Sequence, residues 1–323
     1  MMAASSVVEK VYTSALFRRT QVPRVFAESQ PTELLMEVIA QSLGFPHDFA
    51  GDPVMSRRVQ EYYTPIALYL LWQKSIFPHT LIVGLSLPQG GGKTTLSNCM
   101  KDVCRAVNIC VETVSIDDFY LPHSELQDLA RAHPDNIYMQ GRGVAGTHDV
   151  KLGLETIHRL CNTSSGTVKV PRYDKSKYRG LGDRSPTSEW SIVSAPVDII
   201  LFEGWSFGFT PLATDDPDLL RFPGMEVVNA ELAGYMAWYS CCNVAIVVTA
   251  KPQYVFEWRE EAEVERRASG CGMSSEEVQS FCERFMPSYE LYGAKLAEEG
   301  IEGVEHCLSF HLDRERCPFF VDK

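Results

Sequence analysis

Three consecutive glycines, Gly90, Gly91 and Gly92, run directly into Lys93, Thr94 and Thr95 within the stretch SLPQGGGKTTL, residues 86–96. Glycines let successive backbone N–H groups turn to one side, and a helix beginning near Lys93 adds the positive end of its dipole. Together these make an anion nest. In such a loop the lysine reaches the β- and γ-phosphates of a nucleotide, and the hydroxyl of the next residue, here Thr94, ligates Mg2+. The phosphate-loop pattern G-x-x-x-x-G-K-[ST] asks for glycine five residues before Gly92, and this chain has Leu87 there. A branched side chain at that entrance bears on the loop's geometry, and on affinity more than on identity. The competing reading is a flexible glycine turn entering a helix that carries Lys-Thr.

Acids and cations follow at other points of the chain. In SIDDFYLP, Asp117 and Asp118 stand next to each other after an apolar run. A carboxylate so placed can take the proton of an attacking hydroxyl or hold a metal ion, or it can simply cap a turn or helix. In IILFEGW, Glu203 follows four apolar residues. An acid carried to the edge of a buried sheet is costly unless it is paired or metal-associated, and this is the place where nucleotide-binding folds hold an acid near Mg2+. Residues 168–184, VKVPRYDKSKYRGLGDR, bring six cations, Lys169, Arg172, Lys175, Lys177, Arg179 and Arg184, against Asp174 and Asp183. They form either a solvated basic face or a pocket for an anionic substrate. Arg259, Arg266 and Arg267 sit in a helical stretch ending near Gly270 and Gly272. That is compatible with a hinged lid bringing arginines to phosphates, and equally with i,i+4 pairs to neighbouring glutamates.

The elements that must position these groups are legible in the apolar pattern. Short β-rich runs at 80–87, 108–117, 197–205, 243–250 and 306–313 alternate with amphipathic helical stretches at 94–107, 150–161, 226–238, 253–269 and 274–286. Continuous apolar strands alternating with helices predict an α/β fold, with a mainly parallel five-stranded sheet covered on both faces. Ligands of such sheets lie beyond the carboxyl ends of the strands, where the loop, the paired acids and Glu203 all fall. Residues 31–78 read as helical with an interruption at Pro65, so 1–78 is expected to form an N-terminal helical region packed on a core formed by 79–323.

Composition narrows the partners. The chain has 323 residues, is 45% hydrophobic and carries a net charge of −12. That charge disfavours nucleic acid and anionic membrane as partners, so an anionic ligand must meet a local basic cluster. Ten cysteines with no C-x-x-C pair read as reduced thiols. No apolar run is long enough for a membrane helix. The cytosol is the expected compartment, with an organelle as the alternative because the first residues are rich in Ser and Arg. A monomer is favoured.

With these residues in view, the chain resembles the phosphate-loop kinase group of uridine kinase, pantothenate kinase and phosphoribulokinase, and within it the plant-type D-glycerate 3-kinases and their yeast relatives. The resemblance rests on PQGGGKTTL, SIDDFYL, GRGVAGTHDVKLGLETI, VPRYDKSKYRGLGDR, LFEGWSFGF, EWREEAE and GMSSEEVQSFCERFMPSYELY, from about residue 62 to the C-terminus. It implies the P-loop NTPase fold, ATP and Mg2+ as cofactors, and phosphorylation of the 3-hydroxyl of D-glycerate. Gln89, Gly90, Gly91, Gly92, Lys93, Thr94 and Thr95 would hold the nucleotide, and Thr94, Asp117 and Glu203 the metal. Asp117 would orient and deprotonate the acceptor hydroxyl, with Lys93, Glu203 and Arg259 completing the catalytic set. Asp118, Tyr120, Arg142, His148, Asp149, Arg172, Tyr173, Asp174 and Arg184 would surround the acceptor, the three arginines being the natural clamps for its carboxylate. A nucleoside or another small alcohol as acceptor, and an ATP-binding regulatory protein without turnover, are the alternatives.

Overall fold

The computed structural model describes residues 6–45, 51–268 and 273–320. Six helices come first: α1 (Ser6–Thr13), α2 (Ala15–Thr20), α3 (Arg24–Ser29), α4 (Thr32–Ser42), α5 (Pro53–Arg57) and α6 (Thr64–Ile76). Between α5 and α6 the helix widens into a π-helical stretch, Arg58–Tyr63. Pro65, which has no N–H to donate and crowds the turn before it, then sits in the first turn of α6. The Thr64 hydroxyl donates to the Val59 carbonyl at 2.7 Å across the widened turn.

The alternating part follows as β1 (Leu81–Ser86), α7 (Lys93–Ala106), β2 (Val111–Ser115), α8 (His123–Ala132), α9 (Val150–Asn162), β3 (Thr167–Val170), β4 (Tyr173–Asp174), β5 (Asp183–Arg184), β6 (Ser191–Ser194) and β7 (Ile199–Gly204). It continues with α10 (Met225–Tyr239), β8 (Val244–Ala250), α11 (Pro252–Ala268), α12 (Ser275–Glu283), α13 (Met286–Glu299), β9 (His306–Leu312) and β10 (Pro318–Phe319). The main sheet has the order β10-β9-β8-β1-β7-β2. Five members, from β9 to the edge strand β2, are parallel, and β10 is an antiparallel strand added at the other edge. Two small antiparallel pairs, β3 with β6 and β4 with β5, stand outside it.

Strand side chains alternate between faces, and this divides the core in two. Leu81, Val83 and Leu85 of β1, with Ile199 and Leu201 of β7, point to a layer shared by α7 and by Val11, Leu35, Ile39 and Ile66 of the N-terminal helices. Ile82, Ile200, Phe202 and Val247 point the other way, onto Ile157, Leu232, Trp238 and Leu296 of α9, α10 and α13. The sheet is therefore buried on both sides, and its strand ends are the edge where polar groups gather.

The helical stretch expected at 274–286 is α12, capped by Ser274 and ending at Glu283; α13 follows from Met286 with Pro287 in its first turn. The polar segment before residue 150, for which the apolar pattern gives no helix, contains α8.

Candidate active site

Strand register assembles the centre. β7 lies between β1 and β2, and Glu203 pairs with Leu85 on one side and Ser115 on the other. The loop after β1 and the acidic turn after β2 thus flank Glu203. Glu203 is 9% exposed, and its Oε2 has no hydrogen-bond partner among the described residues. Burial pushes its carboxyl above the ordinary value while Lys93 pulls it down.

The loop after β1 is shaped by its glycines. Gly92, at φ 94°, caps α7, and no side chain among the described residues bonds to the first turn of that 14-residue helix, which leaves its first N–H groups for a ligand. Gly90, at φ 74°, passes so close to α11 that a Cβ would lie 2.6 Å from Trp258 Cβ. Leu87 is fully buried in the layer beneath the loop, and its Cδ2 would lie 2.6 Å from a Cβ on Gly91. The branched side chain thus fills the room that Gly91 leaves and supports the loop from the core side. The Leu87 carbonyl accepts a bond from Lys93 Nζ at 3.1 Å. Further ties come from the Tyr289 hydroxyl, which accepts from the Gln89 N–H at 3.1 Å, and from Arg316 Nε, which donates to the Gly90 carbonyl at 2.9 Å. Thr94 and Thr95 are exposed at the helix start.

Asp117 and Asp118 occupy a 3-10 turn, Ile116–Phe119, in which the Asp117 N–H donates to Ser115 Oγ at 3.3 Å. Their environments differ. Burial alone would raise the Asp117 carboxyl, but Lys175 Nζ at 2.5 Å and the nearby Lys93 overrule it and hold the group down to about 2. Asp118 is raised by burial, and Arg172 at 2.7 Å only partly offsets that. Burial likewise lowers Lys93, against the pull of Glu203 and Asp117. Lys93, Glu203, Asp117 and Lys175 are thus one mutually interacting cluster.

The residues expected around the acceptor fall into two groups. Tyr120 stacks on His148 with ring centroids 4.3 Å apart and meets Tyr173 edge-on at 5.3 Å. His148 is buried, bonds Tyr235 Oη through Nδ1 at 2.6 Å, and is pushed by burial down to about 4, so it is neutral at physiological pH. Asp149 caps α9 through the Leu152 N–H and pairs with Arg184 at 3.3 Å. Arg184 also donates to the Tyr120 carbonyl at 3.0 Å. Arg172 is held by Asp118 and by Ser191 Oγ at 2.7 Å, and Arg142 by the Gly180 and Leu181 carbonyls. Asp174 takes two bonds from Ser176 in an exposed turn.

Arg259 pairs with Glu263 at 2.7 Å and lies over the Phe281 ring at 4.8 Å. Arg267 is bonded to the Met273 carbonyl and to Glu260. The Arg266 side chain and residues Gly270 and Gly272 lie outside the described residues.

Two residues not singled out from sequence enter the site. Lys175 is the direct partner of Asp117; its signal was the basic run 168–184, in which nothing distinguished it from its neighbours. Arg284, shielded and lowered by burial, donates to the carbonyls of Tyr138, Gly141 and Arg142 and fixes the backbone that carries Arg142. It has no sequence motif.

Beside the phosphate loop opens an apolar cavity of about 410 Å³, lined by Ser86, Pro88, Thr249, Ala250, Ala294 and His311 among others. That is the size of a small-molecule pocket, and it sits at the carboxyl ends of β1, β8 and β9. No group of three or more His, Cys, Asp or Glu side chains able to hold a metal by themselves occurs among the described residues. No helix among them is long and apolar enough to cross a membrane.

No family model matches the chain. The chloroplastic D-glycerate 3-kinase of Arabidopsis thaliana is 37% identical over 281 residues, which are 82% of this chain and 61% of the plant protein. A probable ATP-dependent kinase of Saccharomyces cerevisiae is 37% identical over 252 residues, covering 73% of this chain and 86% of the yeast protein. The solved structure of D-glycerate 3-kinase from Cryptococcus neoformans matches with a TM-score of 0.70 at 30% identity, over 78% of this chain and 95% of that one. On identity of this extent across most of both chains, and on the shared architecture, the chain belongs to the D-glycerate 3-kinase family.

Proposed function

We propose that the protein is an ATP- and Mg2+-dependent kinase that transfers a phosphoryl group to the 3-hydroxyl of D-glycerate. The observation that carries this reading is the convergence of Lys93, Glu203 and Asp117 at the carboxyl ends of three neighbouring parallel strands, one side facing the glycine loop and the other the acceptor residues. The names of the plant and Cryptococcus relatives point to the same acceptor.

The residues divide the work. The uncapped N–H groups at the start of α7 and the loop of Gly90–Gly92 cradle the phosphates, and the 410 Å³ cavity beside Pro88 takes the base. Lys93 exchanges the Leu87 carbonyl for the phosphate oxygens. The buried, unpartnered Oε2 of Glu203 fits a cation close by, with Thr94 at the helix start as the hydroxyl ligand and Asp117 within the same cluster. These residues would hold Mg2+, which would supply neutralisation of the charge on the transferring phosphoryl group.

Asp117, ionised at neutral pH, accepts a hydrogen bond from the acceptor hydroxyl and so aims its oxygen at the γ-phosphorus. The new oxygen–phosphorus bond forms as the bond to the β–γ bridging oxygen breaks, ADP departs, and the hydroxyl proton passes to Asp117. Asp117→Asn tests the assignment. It should lower kcat by about 10²-fold or more while ATP affinity stays within about twofold; unchanged turnover would remove Asp117 from the reaction.

A further inference from the structure

Glycerate differs from a neutral triol by its carboxylate, so the site must hold a cation for that group close to the one that holds the hydroxyl. Arg142, Arg172 and Arg184, the arginines expected to clamp that carboxylate, are each already committed. Arg172 is shared among Asp118, Ser191 and, at 3.8 Å, Glu112; Arg184 between Asp149 and the Tyr120 carbonyl; Arg142 between two backbone carbonyls and the Tyr173 ring. Withdrawing any of them for a ligand would strand a buried acid or open a loop.

Lys175 is placed differently. It lies where β4 gives way to the exposed turn before β5, its side chain is 57% exposed, and its one bonded partner among the described residues is Asp117, at 2.5 Å. Lys175 is the cation bonded to Asp117, whereas the Lys93 ammonium is bonded to the Leu87 and Pro88 carbonyls on the phosphate side. In a glycerate molecule a single carbon separates the carboxylate from the carbon bearing the 3-hydroxyl, so hydroxyl and carboxylate can span one ion pair.

We propose that Lys175 is the residue that binds the acceptor's carboxylate, and that glycerate enters by splitting the Lys175–Asp117 pair. The 3-hydroxyl takes the place of the ammonium as hydrogen-bond donor to Asp117, the carboxylate takes the place of Asp117 on the ammonium, and each charged group keeps a hydrogen-bonding partner. A neutral alcohol cannot make this exchange, because it would leave the ammonium unpaired or the pair closed over Asp117. Lys175 is then a specificity-determining residue, and the arginines shape the pocket wall. This inference rests on the glycerate reading above.

The test is steady-state kinetics of full-length wild type, Lys175→Met and Lys175→Arg with D-glycerate and MgATP. Wild type must first turn over D-glycerate; if it does not, the functional reading fails and this inference with it. Given that turnover, Lys175→Met should raise KM for D-glycerate by about 10²-fold, with KM for ATP within about twofold, and Lys175→Arg should recover most of the loss. A Lys175→Met enzyme with unchanged KM for D-glycerate and a lower kcat would overturn the proposal, since it would make Lys175 a partner of Asp117 alone. Should Lys175→Met be inactive, calorimetric D-glycerate binding decides. Affinity within about twofold of wild type overturns the proposal; a loss of about 10²-fold supports it.

Discussion

The two sides of the Asp117 centre are built by different means. On the phosphate side, backbone does the positioning: three glycines, a helix start and the ends of β1 and β7, pinned from outside by Trp258, Tyr289 and Arg316 and from beneath by Leu87. On the acceptor side, ion pairs do it: Arg172 with Asp118, Arg184 with Asp149, and Lys175 with Asp117, the cations standing on or next to the two-residue strands β4 and β5. A phosphate offers the same oxygens in every nucleotide, so N–H groups fixed by the fold suffice. An acceptor is chosen by its charge and length, and that takes side chains that can change partners.

Substitutions can break or sharpen this contrast, and the largest effect belongs to the phosphate side. Lys93→Ala should lower kcat by about 10³-fold or more in a coupled ADP assay, because a fixed charge aimed at the transferring group is lost; a drop of less than tenfold would dismiss the loop as the phosphate site. Leu87→Ala should cost about 3 kcal/mol of stability in denaturant titration, as a fully buried leucine is cut from beneath the loop. An intact core after that change would mean Leu87 does not support the loop.

His148 separates the sides by pH. Its folded value, near 4, lies below the ordinary value of 6.5. The unfolded chain therefore binds the extra proton first, and the contribution present above pH 6.5 is lost as pH falls toward 4, by about 3 kcal/mol in all. His148→Gln should flatten that decline in stability measured across pH 4 to 7. The smallest effect is expected at Asp174: its carboxylate faces Ser176 in an exposed turn, so Asp174→Asn should leave kcat/KM within about twofold.

The same division governs what the sequence reveals. β1, β2, β7, β8 and β9 lie within the runs that announced them; the central β1, β7 and β8, buried on both faces, leave a nearly continuous hydrophobic signature, while β2 and β9 alternate apolar with polar residues. Lys93, Asp117 and Glu203 stand next to those runs and could be placed by counting. Leu87 was legible as a departure but not as a support, because its meaning depends on the room left by Gly91. The acceptor wall was legible only as charge. Which cation in 168–184 faces Asp117 is set by the pairing of β4 with β5, two residues each, too short to leave a pattern. Arg284 acts on three carbonyls far away in sequence, and no local spacing encodes that.

On this reading the fixed phosphate side serves a small carboxylate-bearing acceptor. ATP consumption by the wild-type protein with Mg2+, compared across D-glycerate, uridine, pantothenate and ribulose 5-phosphate, tests it most directly. Rapid ADP release is expected with D-glycerate, with 3-phosphoglycerate as product, and little above background with the other three. No ADP release with D-glycerate, or faster release with a neutral acceptor, would contradict it.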